Sequence, residues 1–114
     1  MKALVTRKRP DGRREKVLVE DWPDVKITSP TQILTRTRYS GVTNGTERND
    51  LLGGNYAHPD EMLPAPWGYQ NVGEVVEIGN DVKNVRIGDI VFSSCDHLEW
   101  ALFDENFLYC KVPS

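Results

Sequence analysis

Cysteine and histidine are scarce in this sequence, with two of each among 114 residues. Cys95 and Cys110 are too few for a secreted disulfide framework and read as free thiols. No C-x-x-C or H-E-x-x-H pair is present to seat a metal. The one metal reading left is the trio Cys95, His97 and Cys110, soft and borderline donors lying close together in sequence. Long apolar runs are missing as well. None nears the roughly 18 residues of a membrane span, and Met1-Lys-Ala-Leu-Val opens the chain without the apolar stretch of a signal peptide. Fourteen basic against seventeen acidic residues leave a formal charge of -3, too small to draw in nucleic acid or an acidic membrane. These absences argue against nucleic-acid and membrane partners and place the protein in the cytoplasm. The chain also lacks a P-loop, a G-x-S-x-G elbow and the G-x-G-x-x-G that cradles a dinucleotide, so any catalysis must be shared with groups it does not carry.

What is present is a series of short segments with period-two alternation, the mark of a mostly β domain. Residues 2–8 and 14–20 flank Pro10-Asp11-Gly12 and predict a hairpin, with Pro presetting one turn dihedral and Gly permitting a positive φ. In QILTRTRY, Ile33, Thr35, Thr37 and Tyr39 share one face, with Arg36 and Arg38 on a solvated other. Thr46 or Asn44 is placed to cap a short helix through Glu47–Leu52, which Gly53-Gly54 would stop. The segment 55–67 carries three prolines and no periodicity, so it reads as a surface loop with His58 in solvent. VGEVVEIG, VRIGDIVF with a turn at Gly88-Asp89, LEWALF and FLYCKV complete about seven strands, enough for a small closed or partly closed β barrel with one or two short helices. Trp100, alternating with Leu102, is expected in the core, and positive φ is expected at Gly79 and Gly88.

Three stretches, TRTRYSGVTNGTE (35–47), PAPWGYQNVGEVVEIGNDVKNVRIGDIVF (64–92) and HLEWALFDENFLYCKVP (97–113), occur in an order that resembles the GroES-like N-terminal domain of medium-chain, alcohol-dehydrogenase-like oxidoreductases. The resemblance spans nearly the whole chain and implies a GroES-like domain over residues 1–114. In that family the domain forms the substrate-side wall of a cleft, and a Rossmann domain holding NAD or NADP forms the other; the latter is absent from this chain. The implied reaction is hydride transfer between the nicotinamide and a small alcohol or carbonyl, with the isolated fragment inactive.

Zinc-dependent members carry a Cys directly before the G-T-acid segment and a G-H-E triplet before the later strand. Here those positions read Asn44 and Gly68-Tyr69-Gln70. An amide and a phenol do not replace thiolate and imidazole as ligands, so zinc is not expected. The resemblance makes Thr46 and Tyr69 candidate catalytic residues that relay a proton, and Asn44, Gln70 and Trp67 candidate substrate-binding residues. The plainer role for each is structural: Asn44 and Gln70 satisfying backbone groups, Tyr69 packing under the loop, Glu47 capping or bridging. GEVVEIGNDVKNVRIGDIVF is also similar to the strand-turn-strand of GroES-type co-chaperonins. The alternative is therefore a co-chaperonin or a non-catalytic GroES-like binding module, although the mobile, glycine-flanked loop of such proteins is missing.

Overall fold

The computed structural model describes residues 1–114 apart from Thr43, Tyr56, Ser114 and the side chain of Asn44. The expected hairpin forms from β1 (Ala3–Lys8) and β2 (Arg14–Val19), in register from Ala3–Val19 to Lys8–Arg14. Gly12 turns the chain at φ +85°, a conformation that costs glycine least.

β3 (Gln32–Ser40) is the centre of a five-stranded antiparallel sheet ordered β7-β3-β5-β6-β8, with β5 (Asn71–Ile78), β6 (Ile90–Ser93), β7 (Trp100–Asp104) and β8 (Leu108–Lys111). Along β3 the expected alternation buries Ile33 and Thr35 but ends before Tyr39, which is 74% exposed. The register shifts between Thr37 and Tyr39, and such a bulge re-aims the side chains beyond it. On β7 the buried residues are Ala101 and Phe103. Trp100 therefore falls on the other face, half-buried, with the Arg36 guanidinium 5.7 Å from its ring centroid, and is not a core residue.

Ile33, Val75, Val82, Val85, Val91, Ala101 and Phe103 form the apolar core on the inner face of this sheet. Each valine, isoleucine or phenylalanine side chain so buried contributes about 1.5–3 kcal/mol. Gly79 allows the Pro30 backbone to approach closely and does not have the expected positive φ: an added Cβ would lie 2.3 Å from the Pro30 carbonyl oxygen.

A second, three-stranded sheet is ordered β2-β1-β4, where β4 is only Ala65–Pro66 paired to Val5 and Thr6. This strand lies in the segment expected to be loop, and a pair of residues including a proline carries no periodic signal. The sheets meet at residues 97–99. Leu4 N–H donates to His97 O (2.9 Å), Ala3 bridges Leu98, and Glu99 N–H donates to Lys2 O (2.9 Å). Among the described residues that seam is a bridge and not a full ladder, so the mainly β fold is a partly open barrel of two sheets.

The helix α1 spans Asn44–Leu52. It begins earlier than expected, so Thr46 lies within its first turn and is not its cap. Glu47 in that turn suits the positive end of the helix dipole. Gly53, at φ +72°, ends the helix.

Candidate functional site

Two segments at one end of the five-stranded sheet carry the sequence-predicted site residues: Gly41–Glu47 after β3, and Trp67–Gln70 before β5. Gly41 N–H donates to Gln70 O at 2.9 Å, which ties the segments at the backbone. The Gln70 side chain lies across Gly41, where an added Cβ would meet Gln70 Oε1 at 2.2 Å. Gln70 and Gly41 line a shallow groove of about 250 Å³ with Tyr39, Val72 and Phe92. Thr46 and Tyr69 are both half-buried, and Asn44, the first residue of α1, has its side chain outside the described set.

His97 belongs to the trio that offers a metal reading in the sequence. It is 5% exposed, and its Nε2 is hydrogen-bonded to the equally buried Glu47 carboxylate of α1. Its backbone N–H donates to Trp67 O at 3.0 Å. Its ring packs against Gly68, where an added Cβ would fall 2.8–2.9 Å from Nε2, Cδ2 and Cε1. Gly68 also has φ +129°, so both space and backbone demand glycine. The expectation that Glu47 bridges holds, and its partner lies 50 residues away.

Beside this pair lies a second polar cluster. Asp50 of α1 is 0% exposed and accepts from Thr6 Oγ1 (2.5 Å), Lys16 Nζ (3.1 Å) and His58 N–H (3.0 Å). Burial alone would push its carboxyl up; the bonds from Thr6, His58 and Lys16 together hold it below the usual carboxylate range. Arg14 closes the cluster, donating to Asp50 O (3.0 Å), His58 O (2.7 Å) and Asp60 Oδ1 (2.8 Å).

His58 is therefore drawn inward and is not in solvent. Its ring stands edge-on to Trp67 with centroids 4.5 Å apart, and its Nδ1 is 3.3 Å from Asp50 Oδ1 but outside hydrogen-bond geometry. Trp67 is packed between His58 and Lys16, with the ammonium 5.9 Å from its ring centroid and a buried indole nitrogen. It belongs to this cluster more than to the groove. Asp96, half-buried, has its carboxyl pushed up by burial against the opposing pull of His58, His97 and Lys16. Asn71 holds the neighbouring backbone by donating to Asp96 O at 3.0 Å.

Larger hollows lie elsewhere, about 440 Å³ beside Cys95, Phe103 and Phe107 and about 600 Å³ beside Arg13, Leu52 and Asp60, and neither is lined by a candidate catalytic or substrate-binding residue. Cys95, His97 and Cys110 do not form a cluster: Cys95 Sγ faces Leu102 O at 3.8 Å, His97 is engaged by Glu47, and Cys110 is exposed on β8. Among the described residues no group of three His, Cys, Asp or Glu is arranged to hold a metal. The donors at the positions matching the zinc ligands, Tyr69 and the Gln70 amide folded over Gly41, do not fit that ion. No helix among the described residues is long and apolar enough to cross a membrane.

Comparison with known proteins gives this geometry a family. The chain is 32% identical over 72 residues to (R,R)-butanediol dehydrogenase of Bacillus subtilis (strain 168), covering 56% of this chain and 20% of that protein. Its structure is similar to that of a quinone oxidoreductase of Pseudomonas syringae pv. Tomato DC3000, with TM-score 0.72 and 21% identity over 100% of this chain and 34% of that one. It is also similar to a T175V mutant of Etr1p solved in complex with NADP and crotonyl-CoA, with TM-score 0.63 and 19% identity over 99% of this chain and 33% of that one. The chain thus spans about a fifth of that curated relative and about a third of those structures. Residues 29–110 match the family described as the alcohol dehydrogenase GroES-like domain, and to that family the chain belongs.

Proposed function

We propose that the chain is the N-terminal, substrate-side domain of a medium-chain, NAD(P)-dependent oxidoreductase that works without zinc on a small alcohol or carbonyl. The observation that supports this reading is the Gly41–Gln70 backbone bond joining segments 41–47 and 67–70 within the matched residues 29–110, where the family resemblance implies a cleft wall. Hydride would be supplied or accepted by a nicotinamide, when bound by a Rossmann domain outside these 114 residues. Within this chain the Thr46 and Tyr69 hydroxyls are the groups able to give a proton to the carbonyl oxygen as it becomes an alkoxide, or to take it back in the reverse direction. Asn44 and Gln70 supply neutral hydrogen bonds that orient the oxygen. Trp67 acts from behind, fixing the backbone that precedes Tyr69.

Tyr69→Phe and Thr46→Ala, each made in the intact enzyme, test the assignment by steady-state kinetics. At least one is expected to lower kcat by about 100-fold or more, and unchanged turnover in both defeats the proton role. Fluorescence titration of the 114-residue chain with NADH is expected to show no binding. Saturable tight binding would overturn the division of labour between the domains.

A further inference from the structure

We propose that His97 is a positioning residue that sets Thr46 and Tyr69 relative to each other, a role that rests on the reading of those two hydroxyls as substrate-facing. Every tie that His97 makes reaches a different part of the fold. Its N–H holds Trp67 O at 3.0 Å, its carbonyl accepts Leu4 N–H at 2.9 Å, and its Nε2 bonds Glu47. Glu47 follows Thr46 in the chain, and Gly68, on which the ring packs, precedes Tyr69. One imidazole therefore bolts α1 to the segment leading into β5, with one candidate hydroxyl next to each end of the bolt.

The chemistry of the pair supports a fixed geometry. A carboxylate accepts, so the tautomer that satisfies it carries the hydrogen on Nε2 and donates to Glu47. Nδ1 is buried and has no partner among the described residues. In this tautomer it is left as a lone pair, which is cheaper to bury unpaired than an N–H. The titratable groups around His97 are Glu47 from α1 and Asp96 from its own segment, with His58 and Lys16 acting on Asp96 in turn. A hydrogen bond between two buried side chains on separate elements, with a glycine opposite that admits no Cβ, leaves the ring little freedom.

Four forms of the 114-residue chain test this by amide and imidazole NMR with thermal melting: wild type, His97→Gln, Glu47→Ala and Glu47→Gln. His97→Gln and Glu47→Ala are expected to move the amides of residues 45–48 and 67–70 together, with those of β3 and β7 left in place. Glu47→Gln keeps an acceptor for the Nε2 hydrogen and is expected to restore both segments and the Nε2–H signal. In the intact enzyme, His97→Gln and Glu47→Ala should lower kcat by about tenfold or more with KM held, and Glu47→Gln should recover it.

Amides that stay still in both loops, or that shift evenly across both sheets, overturn the proposal. If His97→Gln does not fold, the contrast between Glu47→Ala and Glu47→Gln decides it in the same way. If Tyr69→Phe and Thr46→Ala are neutral while both segments still move, the hydroxyl roles fall and the coupling through His97 stands. If those hydroxyl variants lose turnover and the segments do not move, His97 positioning alone fails.

Discussion

The chain buries two regions that obey opposite rules. Under the five-stranded sheet, Ile33, Val75, Val91, Ala101 and Phe103 close on one another through apolar contact alone. Around α1 and Trp67, Thr6, Glu47, Asp50 and His97 are just as hidden, and each of these side chains is bonded to a named partner. The first region responds to volume and is indifferent to acid. The second tolerates shape changes poorly for a different reason, since deleting one partner strands the others in a place water does not reach.

The largest expected effect breaks the polar region. Asp50→Ala leaves Lys16, Thr6 Oγ1 and the His58 N–H without their acceptor and should cost about 3–5 kcal/mol in urea unfolding at neutral pH. A loss below about 1 kcal/mol would rank the cluster with solvated surface pairs. Next comes Gly68→Ala, at about 1–3 kcal/mol, because φ +129° and the His97 ring both oppose a Cβ. Unaltered stability there would mean that the ring moves aside freely.

Ile33→Val should cost about 1 kcal/mol in the apolar core, by the same amount at neutral and at acid pH. The contrast with Asp50 is then one of pH. Asp50 is held below its ordinary value, so its stabilisation is present above the unfolded value of about 3.9 and is lost as pH falls through the folded one. The smallest effect has the opposite sign. Asp96 is pushed up, so its contribution is full below about pH 4 and is lost as pH rises through its folded value. Asp96→Asn should therefore raise the melting midpoint slightly at neutral pH and do nothing below about pH 4. A drop at neutral pH would show Asp96 serving as a needed counter-charge to Lys16.

The two regions also differ in how much of them could be read beforehand. Alternation placed β1, β2, β3 and β5 and the core residues Ile33 and Thr35, because a strand with one dry face writes its period into the sequence. Nothing local could announce β4, whose two residues have meaning only against Val5 and Thr6. Glu47 could be read as a bridge, but its partner at 97 and the inward turn of His58 depend on contacts made after folding. Trp100 is expected in the core and lies on the other face, because alternation gives two faces without saying which is inside. Of the candidate site, the segments 41–47 and 67–70 were visible through family pattern, and the structure ties them together; the His97 bolt between them was not visible.

The two thiols offer a practical handle. Burial, with the nearby Asp96 charge, pushes the Cys95 thiol up to about 11, whereas Cys110 stands exposed on β8 next to Tyr109. At neutral pH a maleimide dye should therefore attach at one place without any cysteine being engineered. That gives a ready fluorescent reporter on β8, the outer strand of the five-stranded sheet.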